Sequence, residues 1–194
     1  MKKILAISTS PRNGGNADTI VHAAAEAARA EGADVTEVYL REQRVNYCVA
    51  CGFCKTPGNA GKCAQRDDMQ QYLDLLRECD GVVFSTGVYF GAMSAQAKTF
   101  IDRMYALFVP GPPPKKDPDA PKGKEKKLLV VMTEGMARPD ADRARAEDIY
   151  GCFGVAGCNT FDYLVVDGCR EKTSAANNPA HLAAAAEKGA WLAQ

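Results

Sequence analysis

The chain has 194 residues, 46% of them hydrophobic, which is enough for one domain with a closed core. Its 24 basic residues balance its 24 acidic residues, so no overall field would attract nucleic acid or an anionic membrane. The first apolar run is too short for a signal peptide, and no run approaches the ~20 apolar residues of a membrane span. We therefore expect a cytoplasmic protein with reduced cysteines, and neither nucleic acid nor a membrane as its partner.

Short apolar runs that end in polar or glycine-bearing loops predict buried parallel strands, and the alternation of polar and apolar residues over 34–40 predicts a strand nearer the edge of the sheet. Apolar residues at helical spacing predict a helix after each strand, with Asn16 and Ser94 as N-caps of the first and third helices. The predicted strands are 3–8, 34–40, 81–86, 127–132 and 160–167, and the predicted helices are 16–31, 67–79, 94–107, 139–151 and 179–193. This alternation indicates an α/β fold with a doubly wound parallel sheet, which binds ligands beyond the carboxyl ends of its strands.

The loop after the first strand has the composition of an anion site. Ser8, Ser10 and Arg12 supply hydroxyl and guanidinium donors, and Gly15 permits close approach of the backbone just before Asn16. Free N–H groups and the helix dipole converge there, which favours a phosphate monoester. The pattern is neither a Walker loop nor a GxGxxG dinucleotide loop. A polar loop capped by Asn16, with no ligand, is the alternative.

Four cysteines lie within sixteen residues, although the average cysteine content of the chain would place fewer than one in such a window. Cys48, Cys51, Cys54 and Cys63 form a C-x2-C-x2-C-x8-C pattern. Three ligands at this spacing and a nearby fourth favour an iron-sulfur cluster. Structural zinc, which more often uses two separated C-x2-C pairs, and a site without metal remain the alternatives. We interpret the other four cysteines as small apolar or incidental residues.

The segment SxSPRxxGN after the first strand resembles the phosphate loop of the NADPH-dependent FMN reductase branch of the flavodoxin-like superfamily. The run from Ser85 to Arg103 is similar to the SPVYFG segment and the K-x-F-I-D-R helix of that family, with Gly87 where proline is common. Thr133-Glu134-Gly135 stands where a third flavin loop is expected. The resemblance implies a three-layer flavodoxin-like sheet of five parallel strands in the order 2-1-3-4-5. It also implies that FMN contacts Ser8, Ser10, Arg12, Gly15, Asn16, Thr86, Gly87, Val88, Tyr89, Phe90, Gly91, Thr133 and Gly135.

The position of the cysteines, after the second strand, resembles that in the iron-sulfur flavoproteins of the same superfamily. The resemblance implies that the four cysteines bind a 4Fe-4S cluster, which exchanges electrons with FMN in a homodimer or homotetramer. We therefore expect residues 1–194 to form a single FMN-binding domain with a cysteine-rich insertion at about 45–66.

The expected activity is that of an FMN-dependent NAD(P)H oxidoreductase, or electron-transfer iron-sulfur flavoprotein, with a small-molecule or protein electron acceptor. The alternatives are an FMN-only reductase of quinones, nitro or azo compounds, or activated alkenes, and a non-catalytic flavodoxin-like carrier. No catalytic acid or base is assigned, because His22 and His181 fall in predicted helices. The proline- and lysine-rich stretch 110–127 is interpreted as a solvated connection; a substrate cover or a contact for a redox partner is the alternative.

Overall fold

The computed structural model describes residues 1–108 and 125–194. Its parallel strands have the order β2-β1-β3-β5-β6, and a short strand, β4, pairs antiparallel with the end of β3. The strands are β1 Lys3–Ser8, β2 Asp34–Tyr39, β3 Gly81–Tyr89, β4 Ala92–Met93, β5 Lys127–Thr133 and β6 Thr160–Val166. The five parallel strands and their order confirm the predicted flavodoxin-like α/β fold.

The described residues contain five α-helices, which cover both faces of the sheet; four lie between strands and the fifth follows β6. They are α1 Asn16–Ala30, α2 Met69–Glu78, α3 Ala95–Arg103, α4 Pro139–Phe153 and α5 Pro179–Ala193. Along β1, Ile4 and Ala6 pack into the core formed with α1 and α5, whereas Leu5 and Ile7 pack into the core formed with α2, α3 and α4. This alternation follows from the two-residue period of a strand, and it produces three layers. None of the described helices is long and apolar enough to cross a membrane.

Small residues let α1 and α5 pack at very short range. A Cβ atom added to Gly189 of α5 would lie 2.1 Å from the carbonyl oxygen of Ala24 in α1. The facing surfaces also contain Ala28 and Ala185, both fully buried. The alanine-rich faces that the sequence contains are therefore the contact between these two helices.

The predicted end of the third strand at residue 86, with a loop after it, was wrong. β3 continues to Tyr89, and only Phe90 and Gly91 form the turn into β4, with φ angles of 50° and 77°. Val88 pairs with Met93 across this hairpin. Two residues of positive φ suit the type I′ turn that joins two twisted strands, so the chain reverses within two residues.

Two other predictions concern the ends of helices and the stretch before β5. Gly15, not Asn16, is the N-cap of α1, because the Asn16 side chain bonds to a distant segment. Ser94 caps α3 as predicted, and its Oγ accepts a hydrogen bond from the N–H of Ala97 at 3.2 Å.

The prediction that 110–127 is a solvated connection concerns mainly residues 109–124, which lie outside the described residues.

Candidate functional site

Three loops meet at the carboxyl edge of the sheet. They follow β1, β3 and β5, which are neighbouring parallel strands. The strand order reverses between β1 and β3, and this reversal opens the crevice in which doubly wound sheets bind ligands. The predicted phosphate loop (residues 9–15), the β3–β4 hairpin and residues 133–135 therefore lie at the same edge of the sheet.

The N-terminus of α1 presents free hydrogen-bond donors to this crevice. The N–H groups of Asn16, Ala17 and Asp18 have no acceptor among residues 1–108 and 125–194, whereas that of Gly15 donates to the Arg12 carbonyl at 3.0 Å. Arg12 is exposed, and its guanidinium makes no ion pair within the same ranges. Free backbone donors, the positive end of a helix and an adjacent arginine fit a phosphate group.

Asp18 fixes the shape of the phosphate loop, a role that sequence reasoning missed. Its buried carboxylate accepts hydrogen bonds from the Ser8 hydroxyl at 2.5 Å and the Gly14 N–H at 2.8 Å. The Arg41 guanidinium pairs with the same carboxylate at 2.8 Å and balances its charge. The Ser8 hydroxyl therefore holds the loop from inside and is not directed at a ligand. An acidic residue in the first turn of a helix is common, so nothing in the sequence marked Asp18 as special.

Ser10 and Asn16, two other predicted phosphate contacts, also bind within the protein. The Ser10 hydroxyl donates to the Arg12 carbonyl at 2.9 Å. The Asn16 amide joins the loop to the segment before α5, because Nδ2 donates to the Glu171 carbonyl at 2.8 Å and Oδ1 accepts from the Ala175 N–H at 3.0 Å. The side chains of Ser8, Ser10 and Asn16 thus build the loop, which leaves Arg12 and the backbone to meet an anion.

The β3–β4 hairpin is joined to the phosphate loop by buried hydroxyl groups. The Thr86 hydroxyl accepts from the Ser94 N–H at 2.9 Å, and the Thr9 hydroxyl donates to the Ser85 carbonyl at 2.8 Å. The Thr9 and Ser94 hydroxyl oxygens lie 3.3 Å apart. The Thr86 hydroxyl therefore binds within the protein. The predicted contacts that lie near or at the turn are Val88, Tyr89, Phe90 and Gly91.

Gly87 makes room for the ring of Tyr89. A Cβ atom at position 87 would lie 2.9 Å from the Tyr89 ring, so a proline there would force the ring away. The departure from the family pattern at this position is thus coupled to the tyrosine two residues later. Phe90 is fully exposed at a positive φ, a conformation that aromatic residues rarely adopt. Such an exposed ring is available to a ligand or to another chain.

The third loop contains a buried carboxyl group. Thr133 ends β5 beside Gly87 of β3, and Gly135 is exposed. Between them Glu134 is 7% exposed, and its Oε1 atom has no hydrogen-bond partner among the described residues. Burial, and then the adjacent Asp142 carboxyl group, raise the pKa of Glu134 to about 7. Arg145 pairs with Asp142 at 2.6 Å and also donates to the Gly91 carbonyl at 3.1 Å, which connects this loop with the hairpin.

All four predicted metal ligands line one cavity of about 780 Å³. Cys48 and Cys51 are exposed, Cys54 and Cys63 are half-buried, and none forms a disulfide. Cys152, in α4, lines the same cavity and was not predicted as part of it. Its distance from the others along the chain explains why no spacing rule identified it.

The cysteine sulfurs do not form a compact group in this structure. In the described ranges, the group of three ligand atoms within 4.8 Å of one another is His22, Glu26 and Glu37, which contains no cysteine.

A buried ion pair closes the stem of the cysteine segment. Arg103, at the end of α3, donates to both carboxylate oxygens of Asp67 at 2.7 and 2.8 Å and to the Asn46 carbonyl at 2.8 Å. Asp67 also accepts from the Asn46 N–H at 2.9 Å and the Met69 N–H at 3.2 Å. Burial would raise the pKa of Asp67, but Arg103 and these N–H groups lower it to about 2. Residues before Cys48 and after Cys63 are thus fixed to α3.

A family model described as NADPH-dependent FMN reductase matches residues 2–146, most of the chain. An iron-sulfur flavoprotein of Archaeoglobus fulgidus is 40% identical over 102 residues, which cover 53% of this chain and 45% of that protein. One of Methanosarcina thermophila is 36% identical over 105 residues, 54% of this chain and 53% of that protein. The chain spans about half the length of the curated relatives it matches.

Solved structures agree with the fold. An NAD(P)H:quinone oxidoreductase from Methanothermobacter marburgensis superposes with a TM-score of 0.71 at 13% identity, over 97% of this chain and 98% of that one. An azoreductase from Bacillus anthracis superposes with a TM-score of 0.67 at 18% identity, over 100% of this chain and 99% of that one. At these identities the similarity concerns the fold alone.

Proposed function

The chain belongs to the NADPH-dependent FMN reductase family, and from this premise we propose that it is an FMN-dependent NAD(P)H oxidoreductase that transfers electrons through an iron-sulfur cluster. The observation that carries the proposal is the crevice at the carboxyl edge of the sheet, where unpaired N–H groups of α1 lie beside a free arginine. The matched iron-sulfur flavoproteins support the cluster. Residues 1–194 act as a single FMN-binding domain with the cysteine segment as its insertion.

In this proposal the phosphate of FMN is bound by Arg12 and by the N–H groups of Asn16 and Ala17. Gly15 allows the phosphate to approach the backbone, and Ser8, Ser10 and Asn16 act through the loop geometry that their hydrogen bonds maintain. The residues near the hairpin turn, Val88 to Gly91, lie beside the flavin ring system of FMN. Thr133 and Gly135, at the end of β5, lie beside it on another side.

FMN, when bound, supplies the ability to take two electrons from NAD(P)H and to release them one at a time or together. The protein orients the cofactor and surrounds it with fixed dipoles. The hairpin and the loop at 133–135 are joined through Arg145 and Asp142. The distance between these two walls of the crevice is therefore fixed. That rigidity favours a preorganised site.

Cys48, Cys51, Cys54 and Cys63 would hold a 4Fe-4S cluster, which supplies one-electron transfer. The electron acceptor is a small molecule or a protein, and the protein assembles as a homodimer or homotetramer.

Anaerobic purification with quantified flavin, iron, zinc and sulfide tests both cofactors on one sample. Flavin with about four iron and four sulfide per chain supports the proposal, as expected for one cluster. Flavin without iron would favour an FMN-only reductase of quinones, nitro or azo compounds, or activated alkenes. Absence of NAD(P)H oxidation with dyes or quinones would favour a non-catalytic carrier. Light scattering of the same sample measures the oligomeric state.

Two pairs of variants assign the sites. Arg12→Gln should raise the Kd for FMN about tenfold, which corresponds to about 1.4 kcal/mol, because it removes a phosphate contact. Arg143→Gln, which removes an exposed arginine of α4, is the control and should leave the Kd unchanged.

Cys51→Ala should abolish iron binding and retain FMN, whereas Cys79→Ala, outside the cysteine cavity, should retain both. Normal iron content in Cys51→Ala would contradict the assignment of the cysteines.

A further inference from the structure

Arg103 is a buried cation beside the cysteines. Its side chain is 1% exposed and lines the cysteine cavity. Two other charged residues, Lys55 and Asp102, line the same cavity, and both are only partly buried. Lys55 donates to the carbonyls of Tyr105 and Phe108, and Asp102 pairs with Lys98. Arg103 is therefore the one fully buried charged side chain among the described lining residues.

One donor of this guanidinium is unpaired. Both Nη atoms donate to Asp67 or Asn46, but Nε has no hydrogen-bond partner among the described residues. Cys63 lines the same cavity as Arg103. Buried donors without acceptors are rare in native proteins, so this one calls for an acceptor from a bound group.

We propose that Arg103 is a positioning residue for the cysteine-bound cluster, with Nε–H directed at the Cys63 sulfur and the buried charge stabilising the reduced cluster. The inference rests on the proposed function, because it assumes that the cysteines hold the cluster. Each electron added to a thiolate-ligated cluster adds negative charge, and hydrogen bonds to its sulfurs are a known means of tuning potential. Removing the cation lowers the midpoint potential, and removing the carboxylate that balances it raises the potential.

The test is a dithionite titration of anaerobic holoprotein, followed by electron paramagnetic resonance, with iron content measured on each sample. Arg103→Gln should lower the midpoint potential of the cluster, and Asp67→Asn should raise it. Arg103→Lys keeps the charge and loses Nε–H, so its potential should stay closer to that of the wild type while a chelator removes its iron several-fold faster. Arg143→Gln, at the surface of α4, is the matched control and should change neither quantity.

Opposite shifts in Arg103→Gln and Asp67→Asn support the inference, because a residue that only holds the fold would not move the potential in two directions. Equal potentials in all variants, or shifts of the same sign, would overturn it. Should Arg103→Gln lose its iron, Arg103→Lys and Asp67→Asn decide: a potential close to the wild type in Arg103→Lys and a raised potential in Asp67→Asn support the inference, and an unchanged or lowered potential in Asp67→Asn overturns it. A wild-type protein without iron refutes the proposed cluster itself, a result distinct from iron-loaded variants with unchanged potentials.

Discussion

At the scale of single residues, Glu134 makes the stability of the protein depend on pH. Its pKa is about 7 in the folded protein and 4.5 as a free side chain. The folded state therefore binds the proton more tightly, and stability is lost as pH rises from 4.5 through 7. Asp142, beside it, has a lowered pKa and stays ionised over this interval. The loss is on the order of 3 kcal/mol, since one pKa unit corresponds to about 1.4 kcal/mol.

Glu134→Gln should remove this dependence. We expect the variant to be more stable than the wild type at pH 8 and to differ little at pH 5, when measured by urea unfolding. Asp140→Asn, an exposed carboxylate at the start of α4, controls for the loss of one negative charge in the same region. A wild-type protein as stable at pH 8 as at pH 5 would contradict the raised pKa.

Gly15 determines how closely a ligand can approach the phosphate loop. An added Cβ would lie 2.8 Å from the Ser10 hydroxyl and 3.0 Å from the Arg12 carbonyl, so Gly15→Ala must displace the loop. We expect the Kd for FMN to rise at least tenfold, or about 1.4 kcal/mol, in a fluorescence titration.

Gly151→Ala is the matched control for Gly15→Ala. Nothing lies within 4 Å of an added Cβ at this position in α4. It should leave FMN binding unchanged and stabilise the protein by up to about 1 kcal/mol, as alanine does in a helix. An unchanged affinity in Gly15→Ala would argue that the phosphate does not meet this backbone.

The residues of the site differ in how far the sequence predicted them. The local composition predicts the roles of Arg12 and Gly15, because a loop that binds an anion needs a positive charge and a backbone that the anion can approach closely. The side-chain partners of Asn16 lie 155 and 159 positions away, and no local pattern reveals such a contact. Asp18 looks like any acidic residue in a first helical turn, although it accepts three hydrogen bonds from the loop and from Arg41.

At the scale of elements, the contact between α1 and α5 depends on a missing side chain. Gly189→Ala would place a Cβ 2.1 Å from the backbone of Ala24, and a backbone atom has little freedom to move aside. We expect a destabilisation of about 1–3 kcal/mol in urea unfolding, as for other overpacked contacts. Gly151→Ala, also in a helix, should change the free energy of unfolding in the opposite direction. The comparison therefore distinguishes the effect of packing from that of helix propensity. Equal effects of the two substitutions would contradict the close contact.

The strands were predicted better than their ends. The apolar runs of β1, β3 and β5 are buried almost continuously because helices cover both faces of the sheet. The extension of β3 to Tyr89 was missed because Gly87 and the polar residues before it look like a loop. It is the pairing with β5 and β4 that keeps these residues in a strand.

At the scale of the whole molecule, ligand binding at the sheet edge should stabilise the entire fold. The phosphate loop contacts β3 through Thr9 and contacts the segment before α5 through Asn16. A ligand that binds only the folded state at 100 times its Kd adds about 2.7 kcal/mol to the free energy of unfolding. We expect FMN at that excess to give this increase for the wild type in urea unfolding, and a smaller increase for Arg12→Gln at the same concentration. No increase with FMN would contradict binding at this crevice.

Hydrogen bonds among Asn46, Asp67 and Arg103 close the base of the cysteine segment. The length of this segment therefore does not affect the arrangement of the sheet. Both ends of the segment are fastened to α3, so residues between them can be gained or lost without moving a strand. The entropy of closing a loop grows only slowly with its length. We therefore expect a change in the length of the eight-residue spacer before Cys63 to leave the separation of the two ends of the segment unchanged.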